Sequence, residues 1–263
     1  MKILVCVKQV VDASKMEVDP RTGRLDRSGA NNIMNPADRH ALEAALSLKD
    51  EAGGTVTVIT MGPPQAGAAL LEAVSMGADT VYLVTDRAFG GADTLATSYT
   101  LAAAIRKLGN DFDLIFCGYE SLDSNTAQVG PEVAAMLGMG DVSGAVSLRK
   151  EGDALIAARA AGKSQDVLEV KLPALITVSP EINRPRYPSV AGILKKYDTE
   201  IHQLTAADLD VDPARIGLKG SPTQVKGIRP IVPEKKENLR IEGKAPEEAA
   251  AQLAEALCRI HVI

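Results

Sequence analysis

Four short apolar runs, residues 3–7, 56–61, 81–84 and 114–117, lie between Gly, Asp or Pro and alternate with stretches of helical period. Segments this short that are apolar throughout suit strands buried on both faces, the situation of a parallel sheet covered by helices. The stretch after the first run places Leu42, Ala45 and Leu46 on one face of a helix over 38–49 and stops at Gly53-Gly54. Two more helical patterns, 65–76 and 94–108, stop at Gly77 and Gly109. This alternation predicts an α/β fold built on a doubly wound, mainly parallel sheet.

Past Gly144 the pattern changes. Residues 145–150, 154–160 and 167–172 read as antiparallel strands, the first two joined at Glu151-Gly152-Asp153, and 174–178 is a further apolar strand. They are expected to extend one edge of the sheet. Beyond residue 201 the chain carries scattered Pro and Gly, among them Gly217, Gly220, Pro222, Gly227, Pro230 and Pro233, and helical periodicity returns only over 246–257. The expected division is an α/β domain over 1–200 and a C-terminal arm over 201–263, lying on another subunit or, on composition alone, free as a tail.

With 46% hydrophobic residues, 3% aromatics and no Trp, the chain suits Ala, Val, Leu and Ile packing and has little with which to stack on bases. A formal charge of -5 also argues against nucleic acid as a partner. Residues 1–8 are already strand-like and carry no leader, and no stretch is long and apolar enough to span a membrane, so a cytoplasmic location is expected. Cys6, Cys117 and Cys258 lack Cys-x-x-Cys spacing and are odd in number, which indicates neither a disulfide framework nor a zinc site. His40, His202 and His261 are far apart, without a companion ligand or a triad pattern, and are expected to be structural or exposed.

In open α/β sheets ligands gather beyond the carboxyl ends of the strands. Asn35-Pro36-Ala37-Asp38 opens a helix, with Asn35 at the N-cap position and Pro36 at the first helical one. Its free amides suit a phosphate or the edge of a base, and Asp38 favours a ribose hydroxyl or an adenine amino group over an anion; ordinary capping explains the tetrapeptide equally. After the third run, Asp93 can cap a helix on which Thr94, Thr97 and Ser98 share one face, either a grip for ribityl or phosphate oxygens or a solvated polar face. After the fourth, the small and hydroxyl residues between Gly118 and Gly130 permit close backbone approach and Pro131 pre-sets a helical start, so a pyrophosphate can rest on the amides there. Neither Gly-x-x-x-x-Gly-Lys-Ser/Thr nor Gly-x-Gly-x-x-Gly occurs, and Gly138-Met139-Gly140-Asp141 is only a near miss to the Rossmann fingerprint.

Together these segments resemble the beta subunit of electron-transfer flavoproteins along nearly the whole chain. Cys6-Val7-Lys8 resembles the family's first strand end, Asn35-Pro36-Ala37-Asp38 its adenine-side motif, and Met61-Gly62-Pro63 its second strand end. Residues 123–134, with Thr126, Gln128 and Gly130, resemble its phosphate-binding loop, and Asn183-Arg184-Pro185-Arg186-Tyr187 its Asn-x-Pro-Arg-Tyr element. The resemblance implies a Rossmann-like, adenine-nucleotide-binding subunit paired with an FAD-holding alpha subunit. The beta subunit of such a heterodimer holds either structural AMP or a second FAD. That second FAD takes a hydride from NADH and divides the electron pair between a high-potential and a low-potential acceptor. The Asp93-Thr94-Leu95-Ala96-Thr97-Ser98 segment and the run from Asn183 to Pro188 resemble this bifurcating kind.

On that reading no side chain is a nucleophile or base. Thr94, Thr97, Asp123, Ser124, Thr126, Gln128 and Gly130 hold the ribityl-pyrophosphate, while Asn35, Asp38 and Met61 frame the adenine side. Cys6, Val7, Gly62, Asp93, Ala127 and Val129 complete the cofactor-binding set. Arg184 or Arg186 is expected to face the flavin ring or the NADH phosphates, or simply to pair on the surface. Implied partners are the alpha subunit, an acyl-CoA dehydrogenase-type enzyme and ferredoxin or flavodoxin, with Arg184, Arg186, Tyr187, Val190 and Lys195 as docking residues. Val190 stands where AMP-type members present a leucine, which implies a different partner, and Lys195-Lys196 can steer an acidic one or merely solvate. The rival of another class is an ATP-binding regulatory or adenylating protein, for which Ser121-Leu122-Asp123-Ser124 is a degenerate phosphate loop lacking its Gly pair.

Overall fold

The computed structural model describes residues 1–12, 17–18, 25–26, 32–109, 111–152, 154–224, 240–241 and 245–260. Strand β1 (Lys2–Cys6) is followed by β2 (Gln9–Val11), β3 (Glu17–Val18), β4 (Leu25–Asp26) and β5 (Asn32–Met34). These form two small antiparallel ribbons, β2 with β5 and β3 with β4, between β1 and α1. The alternation continues through α1 (Pro36–Ala52), β6 (Thr55–Met61), α2 (Gly67–Met76), β7 (Thr80–Val84), α3 (Thr94–Lys107), β8 (Leu114–Gly118) and α4 (Val129–Leu137). Then come β9 (Gly140–Glu151), β10 (Ala154–Ala161), β11 (Ser164–Lys171), β12 (Ala174–Val178), α5 (Val190–Asp198), β13 (His202–Leu204) and α6 (Pro246–Arg259).

The main sheet runs in the order β11-β10-β9-β12-β8-β1-β6-β7-β13. Its pairings from β9 across to β13 are parallel, and β10 is antiparallel to both β9 and β11. The antiparallel strands thus extend one edge, with β12 inserted between them and β8. Helices α1 and α2 carry the chain from β1 outward to β6 and β7; the chain then returns past β1 to lay β8 on its other side. That reversal makes the space beyond the carboxyl ends of β1 and β8 the topological switch point.

Two-residue periodicity sends the strand side chains into two cores. Ile3, Val5, Val58, Leu114 and Phe116 pack with Leu42 and Leu46 of α1 and Leu70 and Val74 of α2. Leu4, Cys6, Ile59, Ile115 and Cys117 pack with Leu101 and Ile105 of α3 and Val133 of α4. Both faces being covered explains why the strands read as continuous apolar runs. Gly77 ends α2 at φ 132, in the region open to glycine, with Leu46 beneath it.

The domain boundary differs from the expected one. The first compact unit runs from Met1 to Gln224. Residues 201–224 belong to it because β13 adds to β7 and Leu204, Leu209 and Ile216 complete the α3 core. The second unit, Val225–Ile263, includes α6, which has Pro246 in its first turn, an ion pair between Glu255 and Arg259, and no buried residue. Gly227, Pro230, Pro233 and His261 lie outside the described residues.

Phe116 is fully buried on the central strand β8. Phe116→Ala is expected to cost about 3–5 kcal/mol, read as a lower urea midpoint with unchanged slope.

Candidate functional site

The crevice floor is built around the start of α1. Asn35 occupies the N-cap position with Pro36 behind it, but its side chain makes no capping bond. Instead Nδ2 donates to the Glu120 carbonyl at 2.9 Å and Oδ1 accepts the Leu122 amide at 3.0 Å, so Asn35 grips the loop after β8. Asp38, 6% exposed, accepts the Lys8 amide at 2.7 Å through Oδ2 and the Gly118 amide at 3.1 Å through Oδ1. Its carboxylate is turned into the protein, where it joins the ends of β1 and β8, rather than outward to a ribose hydroxyl. A Cβ on Gly118 would collide with this carboxylate and with Ala37, so only glycine fits. Burial pushes the Asp38 carboxyl from 3.8 up to about 7, against the hydrogen bonds from Asn35, Lys8 and Gly118 and the Lys8 charge, which pull it down.

The loop from β8 to α4 is knotted by its own side chains. Lys8 Nζ meets Asp123 Oδ1 at 2.7 Å, and the Ser121 and Ser124 hydroxyls donate to the same oxygen at 2.8 and 3.0 Å. Desolvation opposes ionisation of Asp123, but Lys8, Ser121 and Ser124 hold its pKa below the ordinary value. Asn125 and Ala127 lie in the left-handed region at φ 49 and 53, which costs a residue with a Cβ on the order of 1–3 kcal/mol. Ala127 is followed by Gln128 in the right-handed region, at φ -102 and ψ -34. Successive residues of opposite hand turn consecutive N–H groups into a concavity suited to an anion, here at the first turn of α4. Thr126 and Gln128 are exposed, Val129 is half-buried, and Gly130 is buried where a Cβ would strike Thr177 Cγ2.

Across the crevice Asp93 caps α3, accepting the Ala96 amide at 3.1 Å through Oδ1 while Oδ2 accepts the Thr223 amide and hydroxyl at 2.9 and 2.8 Å. The shared hydroxyl face is largely engaged from within. Thr94 and Ser98 donate to the two oxygens of Glu132 at 3.3 and 2.9 Å, tying α3 to α4, and Thr97 is the half-buried third member. Glu132 carried no signal beyond its place in the first turn of α4. Cys6 and Cys117 are register partners on adjacent strands. Cys117 is pushed well up by its hydrogen bond with Cys6, then by burial, and stays a protonated thiol. Val7 is buried, its amide bonded to the Ile59 carbonyl at 2.9 Å; Gly62 donates to the Val84 carbonyl at 3.0 Å, beside half-buried Met61.

The expected docking residues lie on a different surface. The Arg186 guanidinium and amide hold Glu43 of α1 at 2.8–2.9 Å, and the guanidinium also reaches Asp50 at 2.9 Å. Arg186 therefore does not face the crevice. Desolvation pushes Glu43 up, yet the Arg186 bonds and Ser47 leave its pKa below the usual carboxylate value. Lys195 Nζ is likewise turned inward, to the Ala78 carbonyl at 3.0 Å. Ser189 caps α5, and Gly192 lies so close to the Ser75 carbonyl that no side chain fits. Asn183 exchanges hydrogen bonds with His40 at 2.9 and 3.0 Å. Arg184 is exposed, and Tyr187 (93%), Val190 (78%), Leu194 (63%) and Tyr197 (76%) present apolar surface to solvent.

The fold and crevice define a doubly wound α/β domain whose switch point is lined by backbone amides and hydroxyls. The electron transfer flavoprotein domain matches residues 22–209. Over the full length of both chains the sequence is 49% identical to the electron transfer flavoprotein subunit beta of Clostridium acetobutylicum. It is also 45% identical to the caffeyl-CoA reductase-Etf complex subunit CarD of Acetobacterium woodii and 41% identical to the acryloyl-CoA reductase electron transfer subunit gamma of Anaerotignum propionicum, again over all of each chain. The chain belongs to the electron-transfer flavoprotein family, as a beta subunit. Among the described residues no helix is long and apolar enough to cross a membrane.

Two outcomes follow from the buried carboxylates. Asp38 has a raised folded pKa, so its contribution to stability is complete below 3.8 and is lost as pH rises through about 7; Asp38→Asn should flatten that part of a stability–pH curve measured by urea unfolding. Arg186→Ala strands Glu43 and should cost about 2 kcal/mol, less than the ~3–5 of a fully buried pair because Arg186 is a third exposed. Glu43 titrates low in the fold, so this difference should shrink as pH falls below 4.5.

Proposed function

We propose that this chain holds FAD at its switch-point crevice and, in a heterodimer with an FAD-containing alpha subunit, accepts a hydride from NADH and splits the electron pair. One electron goes to ferredoxin or flavodoxin, the other through the alpha-subunit FAD to an acyl-CoA dehydrogenase-type enzyme. The observation that carries this is the anion-binding concavity at Ala127 and Gln128, opening α4 beside the capped start of α3. The amides of residues 126–130 are proposed to hold a pyrophosphate, which needs no side-chain cation there, and Thr97 is proposed to meet the ribityl chain. FAD bound there supplies two-electron acceptance and one-electron release; the residues of this chain bind it, orient it and keep water from it.

Relatives that carry coenzyme A reductase names support an acyl-CoA-type partner. The exposed side chains of Tyr187, Val190, Leu194 and Tyr197 are the proposed contact, with Arg186 and Lys195 acting from beneath to hold α5 in place. The arm that includes α6 is proposed to pack on the alpha subunit, with Leu253 of α6 at that contact, and the location is proposed to be cytoplasmic. A second reading, structural AMP in the same crevice, is favoured by the engagement of Thr94 and Ser98 with Glu132, which leaves fewer hydroxyls for a ribityl chain.

Flavin content separates the two. Co-purified with its alpha partner, the complex should carry two FAD per heterodimer; one FAD and one AMP would establish the second reading. Thr97→Val should weaken only the beta-site flavin, by about 3- to 10-fold for one lost hydrogen bond, measured by flavin retention on dialysis.

A further inference from the structure

Asp38 holds together the two strand ends on which the crevice is built, and it does so as a buried acid that accepts the backbone amides of Lys8 and Gly118. The groups facing it are Lys8 from the end of β1 and Cys117 from β8, with Cys6 hydrogen-bonded to Cys117 and, beyond Lys8, Asp123 from the loop after β8. The Cys117 thiol stands opposite as an uncharged group at neutral pH, pushed up by its hydrogen bond with Cys6 and by burial. Lys8 donates its backbone amide to Asp38 but directs its ammonium to Asp123 at 2.7 Å. Lys8 is therefore shared between the Asp38 floor and the loop that leads into the anion-binding concavity. Cys117 connects the same two places from below: it faces Asp38, and its Cβ lies 3.8 Å from the position a Cβ on Gly130 would take.

We propose that Asp38 is a positioning residue whose protonation is linked to occupancy of the crevice, so that binding of an anionic dinucleotide is accompanied by uptake of a proton at its carboxyl. The inference rests on the FAD reading. A pyrophosphate seated on residues 126–130 adds negative charge above the floor and competes with Asp123 and Asp38 for the field of Lys8. Both effects disfavour an ionised Asp38 more in the bound than in the free protein. The carboxyl of the free protein already titrates near neutrality, so the change falls where it is felt. By linkage, a bound form with the higher pKa takes up a proton, and affinity is greatest at low pH and falls as pH rises from the free to the bound pKa. The proton comes from the buffer, and no bond other than the O–H of Asp38 is made.

The test uses the full chain in complex with its alpha subunit, stripped of nucleotide, with FAD as titrant. Calorimetry at pH 7.5 in two buffers of different ionisation enthalpy counts the protons taken up, and the same titration of Asp38→Asn subtracts every contribution not due to this carboxyl, including that of the alpha site. The expected result is net uptake in the parent that is absent in the variant, and a beta-site affinity that falls about 3- to 10-fold between pH 6.5 and 8.5 in the parent alone. A merely structural role for Asp38 would lower affinity at every pH and leave the proton count unchanged. Two equivalents of FAD bound with equal proton counts in parent and variant would overturn the linkage while leaving the flavin reading intact; one equivalent per heterodimer would overturn both. Should Asp38→Asn fail to assemble, a flat pH profile of parental FAD affinity would overturn the linkage and a falling one would support it.

Discussion

Two backbone amides, those of Lys8 and Gly118, converge on the buried carboxylate of Asp38, and the crevice follows from that contact. At the switch point of a doubly wound sheet the chain leaves neighbouring strands in opposite directions, so their terminal amides lose the ladder that satisfied them. A buried amide without a partner costs about 1–3 kcal/mol, and one carboxylate answers two of them at once. Desolvation opposes that solution and is visible as the raised pKa of the acid. The same contact excludes a side chain at Gly118 and draws the start of α1 against the end of β8. From there Asn35 can hold the following loop by two bonds.

The next layer is a loop that keeps two residues with side chains in left-handed backbone. Such a conformation survives only where its surroundings determine it. Here Lys8, Ser121 and Ser124 fix Asp123 on one side of the strained residues. On the other, Gly130 lies against Thr177 and the start of α4 is tied to α3 through Glu132. The outcome is a concavity of backbone amides in a chain whose net charge is negative.

The surface around α5 obeys a different logic. Three of its polar groups are turned inward: Arg186 to Glu43 and Asp50, Asn183 to His40, Lys195 to a carbonyl of the turn after α2. Beside exposed Arg184 stands a row of large apolar side chains open to solvent, an arrangement that makes sense for a rigid element presented to another protein. The charges that look in sequence like docking contacts are the fastenings of that element.

Much of the fold was legible in the sequence, because strands buried on both faces must be apolar throughout and helices must be punctuated; the runs now seen as β1, β6, β7, β8 and β12, and the Asp93 cap of α3, depend only on neighbours a few residues away. Helix α5 is not legible in the sequence because its large apolar side chains face solvent and give no core periodicity. Family membership was legible too, carried by short segments such as Asn35-Pro36-Ala37-Asp38. The partners of Asp38, Glu132 and Arg186 were not. Asp38 meets an amide 80 residues away, Arg186 an acid 143 residues away, and nothing in a linear pattern distinguishes a carboxylate that faces a ligand from one that faces the backbone. Local periodicity and turn chemistry determined the elements and their order; the direction in which each polar side chain points was decided only by tertiary packing, since burial forces a polar group to find whichever partner the topology brings within reach.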